Sequence, residues 1–160
     1  MLAEFLDNSD FELVHGDHCD AGVVSDAFYD VTDVIILAGL VGDPITKKYP
    51  NESEKINNDG LLSVIFLLNN RALNRVIFVS TCSNYRLIKE GKLADKNFEL
   101  NPLSLYVKAK VTMERSLLEL KGKVDYSPTV LRFATAFGLA PRMRFDLTVS
   151  QYTRDMQMGC

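Results

Sequence analysis

The segment PLSLYVKAKV, residues 102–111, places one tyrosine and two lysines among apolar residues typical of a buried helix. Tyr106 and Lys110 are four residues apart, so they share one face of a helix. An ammonium close to a phenol favours the phenolate, so this spacing predicts a lowered Tyr106 pKa and a tyrosine usable as a general acid or base. Ordinary amphipathic packing produces the same spacing and remains the alternative. Lys108 is predicted to be a solvated surface lysine.

A hydroxyl-bearing residue ends the apolar pattern that precedes this helix. Thr81 closes the run RVIFVST and lies 25 residues before Tyr106. A hydroxyl at a strand end and a tyrosine on the following helix can converge on one substrate oxygen. One group then holds the oxygen while the other exchanges its proton.

The elements that must position these residues follow an alternating pattern. Short, nearly continuous apolar runs predict buried strands at 11–16, 33–39, 75–81 and 129–135. Helical patterns lie between them at 20–29, 51–72 and 102–120. Alternation of this kind predicts an α/β fold with a parallel sheet, whose ligands bind at the carboxyl ends of the strands.

Helix boundary signals accompany two of these patterns. Asn51 and Ser53 are predicted to cap the helix at 51–72. Asn101 is the predicted N-cap of the later helix, with Pro102 at its first position and Gly122 just past its end.

Composition limits the class of protein. Of 160 residues, 47% are hydrophobic and 24% charged, as in an ordinary globular domain, so one domain over 1–160 is predicted. A net charge of −3 argues against nucleic acid as the main partner. The apolar runs are too short for a membrane span, and MLAEFLDNSD is unlike a signal peptide. Three cysteines without a C-x-x-C pair predict a reducing, cytoplasmic location.

Six motifs occur in the order found in a known family. The sequence resembles the extended short-chain dehydrogenase/reductases, specifically the nucleotide-sugar epimerases and dehydratases, from about residue 11 to residue 146. The motifs are FELVHGDHCD, VIILAGLVGDP, INNDG, VIFVSTCSNY, YVKAK and TVLRFATAFGLAPRMRFDL.

The resemblance implies a catalytic set. Tyr106 would exchange the proton of a sugar hydroxyl while a nicotinamide takes or returns a hydride. Lys110 would hold the nicotinamide ribose hydroxyls and keep the tyrosine acidic. Thr81 would orient the reacting hydroxyl, with Ser83 or Cys82 beside it.

The resemblance also implies how cofactor and substrate bind. NAD is the expected cofactor, with NADP as an open alternative, and a nucleotide-sugar is the expected substrate. Asn57 would be the site asparagine, and Asp17 would contact adenine, although a plain turn role is equally compatible. The residues expected beside the dinucleotide are Leu37, Ala38 and Gly39. The substrate-side residues implied by the last motif are Thr135 and Arg142.

The sequence departs from the family where the phosphates would bind. None of its nine glycines forms a G-x-x-G-x-x-G loop. The expected fold is therefore a Rossmann-like parallel sheet with flanking helices that lacks the first βαβ unit and the C-terminal substrate domain. In the order 3-2-1-4-5-6, the strand at 11–16 would be separated from its neighbour by two missing strands. It would pack elsewhere, move beside 33–39, or leave a gap filled by a second chain.

A second hypothesis follows from the missing loop. The chain would be a catalytically silent module that forms a homodimer through the helices at 51–72 and 102–120. An apolar stripe on the later helix is predicted to be core or dimer face: Leu105, Val111, Met113, Leu117 and Leu118.

Two clusters of polar residues have competing interpretations. His15, His18 and Cys19 have no distant second ligand pair, so they are predicted to be turn residues and no metal is expected. The basic residues Arg132, Arg142 and Arg144 would either face a diphosphate or lie in a solvated loop.

Overall fold

The computed structural model describes residues 5–69, 71–85, 88, 91–140 and 143–159. Three parallel strands form its sheet in the order β1-β2-β3: β1 is Asp33–Ile36, β2 is Arg75–Thr81 and β3 is Ser127–Phe133. Ile36 pairs with Phe78, and Phe78 pairs with Val130. The α/β class and the parallel sheet are confirmed, and so are three of the four predicted strands.

The core lies on one face of this sheet. Strand residues alternate between faces, so Val34, Ile36, Val76 and Phe78 point the same way, and all are buried. They belong to one apolar cluster with residues of two helices, namely Leu61, Val64, Ile65, Leu68, Met113 and Leu117. On the opposite face Ile35 is 62% exposed and Phe133 is 54% exposed.

A long helical segment between β1 and β2 changes its geometry twice. It contains α2 (Asp43–Lys48), α3 (Pro50–Glu54), a π-helical turn (Lys55–Gly60) and α4 (Leu61–Leu68). The predicted helix at 51–72 is therefore confirmed, with shifted ends and a wide turn in its middle. The predicted caps are wrong, because Asn51 lies inside α3 and Ser53 is buried where its hydroxyl meets the Asn57 side chain.

The shorter helix α1 (Ala21–Ala27) agrees with the pattern at 20–29. Asp20 caps it by accepting from the amides of Gly22 and Val23. Arg71 ties it to the end of α4, since its guanidinium donates to the carbonyl oxygens of Ser25 and Phe28.

Helix α5 (Leu105–Leu118) carries the tyrosine and lysine of the opening motif. Its N-cap is Ser104, whose hydroxyl accepts from the Val107 amide at 3.3 Å, so the predicted caps at Asn101 and Pro102 lie too early. The helix ends at Leu118 with Glu119 as C-cap, before Gly122.

The predicted strand at 11–16 is wrong, because this segment has no strand pairing. A parallel strand needs a neighbour to receive its backbone hydrogen bonds. Among the described residues β1 pairs with β2 alone, so the expectation that this segment moves beside 33–39 is also wrong.

The chain divides into two compact units, 15–133 and a second unit made of 1–14 and 134–160. The first unit holds the sheet and helices α1 to α5. The second contains helix α6 (Thr148–Met158), which ends at Gly159 in the left-handed conformation. An ion pair between Arg144 and Asp146 lies just before that helix. Among the described residues, no helix has the length and apolar character needed to cross a membrane.

Candidate functional site

Lys110 lies buried on the inner side of α5, with 8% of its surface exposed. Its ammonium donates to the carbonyl oxygen of Val79 at 2.8 Å and lies 4.6 Å from the centre of the Phe78 ring. A buried ammonium needs such a partner. Burial lowers the pKa of Lys110, while the charge of Glu114 acts in the opposite direction. The lysine therefore joins α5 to the carboxyl end of strand β2.

Tyr106 is half-buried one helical turn before this lysine. The Lys110 ammonium lies 6.0 Å from the centre of its ring, at the limit of a cation–π contact. Burial raises the pKa of Tyr106, and the charges of Asp43 and Cys82 raise it further. The predicted lowering of this pKa is thus wrong for the chain without ligand, because burial is the largest cause and the Lys110 ammonium is bound to the Val79 carbonyl.

Thr81 is the last residue of β2, where the sequence pattern predicted it. Its hydroxyl accepts from the Ser83 amide at 3.2 Å and so begins the 3₁₀ turn Cys82–Tyr85. Ser83 itself is exposed on that turn. The ionised form of Cys82 is among the groups that would raise the Tyr106 pKa, so this turn lies near the phenol.

Asn57 lies in the π-helical turn and binds the loop after β1 with both ends of its amide. Its Oδ1 accepts from the Leu40 amide at 2.7 Å, and its Nδ2 donates to the Leu40 carbonyl at 2.9 Å. The Nδ2 group also donates to the Ser53 hydroxyl at 3.2 Å. A π turn inside a helix often marks a functional position. Here it presents Asn57 to the loop backbone.

The loop that Asn57 holds is the one expected beside the dinucleotide. Strand β1 ends at Ile36, so Leu37, Ala38 and Gly39 follow it rather than belong to it. Leu37 is 66% exposed. Gly39 has φ +136°, and a Cβ there would lie 2.7 Å from Asn57 Oδ1, so this position requires glycine.

A cavity of about 10 Å³ lies between the π turn and α5. Its lining residues are Asn57, Leu61, Tyr106, Ala109, Lys110 and Met113. This volume is at the lower limit for one water molecule. The structure therefore brings the expected site asparagine, tyrosine and lysine around one small space.

Asp17 lies at the edge of the first unit, in a turn packed against the π segment. Its Oδ1 accepts from the Cys19 amide at 2.9 Å, and this hydrogen bond is the largest cause of its lowered pKa. The turn role considered for Asp17 is therefore present. His18 and Cys19 point toward the π segment, whereas His15 is exposed.

A buried polar network supports the Thr81 turn, and sequence reasoning missed most of it. Glu114 is 1% exposed and accepts from Arg132 through both carboxylate oxygens, at 2.6 to 3.0 Å. Asn84 is fully buried and donates to Glu114 Oε1 at 2.6 Å and to the Ser80 hydroxyl. Arg132 also donates to the Tyr85 hydroxyl at 2.9 Å. The signal present in the sequence was Arg132, a charged residue inside the apolar strand pattern at 129–135, which implies a buried partner of opposite charge.

This network corrects the interpretation of the basic residues. Arg132 is neither a diphosphate ligand nor a residue of a solvated loop, since it lies in β3 and pairs with Glu114. The hydrogen bonds that its guanidinium donates to Glu114 raise the pKa of Arg132. Arg144 pairs with Asp146 in the second unit, and Arg142 lies outside the described residues.

The apolar stripe of α5 divides into two groups. Val111, Met113 and Leu117 are core, whereas Leu105 and Leu118 are 44% and 43% exposed.

The substrate-side residue Thr135 belongs to the second unit, where it is exposed. That unit has its own apolar cleft of about 450 Å³, bordered by Phe137, Leu139, Phe145 and residues of α6.

The fold is shared with solved nucleotide-sugar enzymes. The UDP-glucose 4-epimerase of Thermus thermophilus, solved with NAD, is 22% identical with a TM-score of 0.68; 73% of this chain covers 39% of it. The dTDP-glucose 4,6-dehydratase of Streptomyces venezuelae, a double mutant solved with NAD and DAU, is 19% identical with a TM-score of 0.81; 99% of this chain covers 48% of it.

The UDP-N-acetylglucosamine 4-epimerase of Methanobrevibacter ruminantium M1, in complex with UDP-N-acetylmuramic acid, is 22% identical with a TM-score of 0.80. There, 96% of this chain covers 49% of the enzyme, so the chain spans about half the length of such structures or less. The sequence profile of the NAD dependent epimerase/dehydratase family matches residues 3–157. The chain therefore belongs to the NAD dependent epimerase/dehydratase family.

Proposed function

We propose that this chain carries the catalytic part of an NAD-dependent enzyme that epimerises, dehydrates or reduces a nucleotide-sugar. The observation that carries this proposal is the shared cavity of Asn57, Tyr106 and Lys110, beside the strand that ends in Thr81. These types of residue, held between one helix and one strand end, suit proton exchange at a sugar hydroxyl.

The roles follow from the surroundings of each side chain. Tyr106 exchanges the proton of the reacting hydroxyl, which Thr81 orients from the end of β2. Lys110 uses one N–H for the Val79 carbonyl and keeps two for other acceptors. Those two donors suit the ribose hydroxyls of a nicotinamide nucleotide.

The described residues fit part of an NAD site. NAD supplies a hydride acceptor and donor when bound. Leu37 is exposed in the loop after β1, whereas Ala38 and Gly39 are partly buried, and this loop is proposed to lie beside the dinucleotide. Asp17 keeps a solvent-facing carboxylate for the adenine amino group. The glycine-rich phosphate loop is not in this sequence. NADP is the alternative cofactor.

The substrate side belongs to the second unit. Thr135 and Arg142 are proposed as nucleotide-sugar contacts, and a UDP- or dTDP-sugar is the proposed class of substrate. Cys19 and Cys82 are free thiols, which supports the proposed cytoplasmic location.

Thermal unfolding with excess NADH tests cofactor binding. A ligand at about 100 times its dissociation constant stabilises a folded binder by ~2.7 kcal/mol. At roughly 2–4 °C per kcal/mol, the melting temperature should rise by several degrees. Lys110→Met should abolish that rise, while Lys108→Met, on the exposed face, should retain it. A cooperative transition that NADH does not move would contradict the proposal for this chain.

Turnover tests the role of Tyr106. The chain supplied with NAD⁺ as hydride acceptor should interconvert UDP-glucose and UDP-galactose, or convert a dTDP-sugar with loss of water to a keto-sugar that stays bound to dTDP. Tyr106→Phe should remove this turnover while NADH binding persists. Retained turnover in Tyr106→Phe would show that another group exchanges the proton.

The second candidate is a catalytically silent module that dimerises through the helical segments 51–72 and 102–120. Exposed apolar side chains on α4 and α5 favour it: Leu62 is 39%, Phe66 74%, Leu105 44% and Leu118 43% exposed. A discrete dimer without NADH binding would support this candidate over the enzyme.

A further inference from the structure

The His18 ring is held in one orientation by a group that can only accept a hydrogen bond. Its Nε2 lies 3.1 Å from the carbonyl oxygen of Ile56. Nε2 must therefore carry the hydrogen, which leaves a lone pair on Nδ1 of the neutral ring. A backbone carbonyl in this position is the usual partner that orients a metal-binding histidine.

Two further ligand atoms face the same space. The His18 Nδ1 lies 4.0 Å from Asp17 Oδ1, which is too long for a hydrogen bond between the two side chains. The Cys19 thiol joins them, and the ligand atoms of Asp17, His18 and Cys19 lie within 4.8 Å of one another. Ligand atoms bound tetrahedrally to one zinc ion at about 2.0–2.3 Å lie roughly 3.3–3.8 Å apart, so the three side chains must move slightly closer together to bind it.

The turn that bears these ligands is held against the π-helical segment. A Cβ at Gly60 would lie 2.6 Å from Cys19 Sγ and 3.3 Å from the His18 ring. The Cys19 sulfur also lies 3.9 Å from the Lys55 carbonyl oxygen. The histidine and the cysteine are thus positioned by a second element of the fold rather than by the turn alone.

We propose that Asp17, His18 and Cys19 bind one divalent ion of the zinc class, with the remaining position open to solvent. One carboxylate oxygen, one imidazole nitrogen and one thiolate suit Zn²⁺ or Co²⁺ better than Mg²⁺ or Ca²⁺. The carboxylate of Asp17 is 68% exposed, so an ion can enter from solvent. This proposal departs from the sequence-based expectation of no metal. Three protein ligands and one position for water are the pattern of open zinc sites, and the Ile56 carbonyl orients the His18 ring.

Titration of the purified chain with Co²⁺ tests the site without any cofactor or substrate. We expect one equivalent to bind, with a thiolate-to-cobalt charge-transfer band in the near ultraviolet. Cys19→Ser should remove the band, and His18→Ala should weaken binding by about 10–100-fold or more. Cys82→Ser and His15→Ala are the matched controls, and both should bind as the unsubstituted chain does.

X-ray absorption of the zinc-loaded chain gives a second measurement that needs no variant. One sulfur ligand at about 2.3 Å, with nitrogen and oxygen ligands at about 2.0–2.2 Å, is expected. A zinc shell without sulfur, a cobalt band that survives Cys19→Ser, or a failure to bind at one equivalent would each overturn the proposal. Asp17 is also the proposed adenine contact, so a bound ion and the adenine of NAD would share its carboxylate. The cobalt and zinc measurements are made without NADH, so a failure of this site and a failure of NADH binding are observed separately.

Discussion

At the scale of single residues, Lys110 and Tyr106 occupy different electrostatic positions. The ammonium is satisfied by the Val79 carbonyl, whereas the phenol is governed by burial and by nearby negative charge. An enzyme of the proposed kind needs the phenol to lose its proton more easily. The positive nicotinamide of NAD⁺ would supply the missing charge on binding.

The Tyr106 phenol should therefore titrate above its ordinary pKa of about 10 in the chain alone. Since the folded state then holds this proton more tightly than the unfolded state, the Tyr106 contribution to stability is complete below pH ~10 and is lost as pH rises through the raised pKa. Carbon NMR of tyrosine labelled at Cζ measures the titration. Tyr106→Phe assigns the signal, and Tyr29→Phe, at an exposed tyrosine, is the control. A titration below the ordinary pKa would contradict the structure.

A methyl group added at Gly60 would collide with the Cys19 sulfur. Gly60→Ala should lower the free energy of unfolding by about 1–3 kcal/mol, as overpacking does. Cys19→Ala removes the sulfur that the new Cβ would meet at 2.6 Å.

The double variant Gly60→Ala with Cys19→Ala should therefore lose less stability than the sum of the two single variants. Urea denaturation of the four proteins measures this cycle. Additive losses would show that Gly60 does not pack against Cys19.

At the scale of elements, Asn57 connects the π turn of the long helical segment to the loop after β1. Two hydrogen bonds of its amide hold the Leu40 backbone in place, next to the glycine at position 39, and a third goes to the Ser53 hydroxyl. The loop proposed to lie beside the dinucleotide thus depends on a side chain 17 residues further along the chain.

Asn57→Asp should loosen this loop. The carboxylate still accepts from the Leu40 amide, but it cannot donate to the Leu40 carbonyl or to the Ser53 hydroxyl. We expect a loss of about 1–3 kcal/mol for the acceptors left unpaired, and faster hydrogen exchange at Leu40. Asn51→Asp on the exposed part of α3 is the matched control. Unchanged exchange at Leu40 would contradict this role of Asn57.

A second link between elements is the pair of Glu114 on α5 and Arg132 on β3. Glu114→Ala should cost about 3–5 kcal/mol, because it leaves the Arg132 charge largely buried without its carboxylate. Glu114→Leu combined with Arg132→Met should lower the free energy of unfolding by less than either single removal. Both charges are then absent, so neither is left buried without its partner. Chemical denaturation measures all three proteins. Single variants as stable as the unsubstituted chain would show that the pair is not formed.

At the scale of the whole molecule, the first unit leaves apolar surface in contact with solvent. Leu62 and Phe66 of α4 and Leu105 and Leu118 of α5 are exposed, and a contiguous apolar patch of such residues would mark an interaction surface. A second copy of the chain is the partner predicted from the sequence.

Sedimentation velocity tests this homodimer directly. The chain should sediment as a discrete dimer at micromolar concentration, and Phe66→Glu should shift it to monomer without loss of its cooperative melt. Phe137→Glu, at an exposed phenylalanine of the second unit, is the control and should leave the dimer intact. A monomer at all concentrations would refute the dimer, and polydisperse aggregate would indicate that the surface has no defined partner.

The sequence by itself determined three of the strands, the helices between them, the parallel sheet and the family, because apolar periodicity and short motifs are local properties of the chain. It also identified Thr81, Tyr106, Lys110 and Asn57 as candidates, since each lies in such a motif. It did not predict α2 or α6.

Tertiary structure alone decided what those residues touch. The strand predicted at 11–16 failed because a strand depends on a neighbour that local sequence cannot supply. The raised Tyr106 pKa, the Glu114–Arg132 pair and the ring orientation of His18 all arise between residues distant in sequence. Burial and hydrogen-bond geometry set the charge of a group, and both appear only when separate elements pack together.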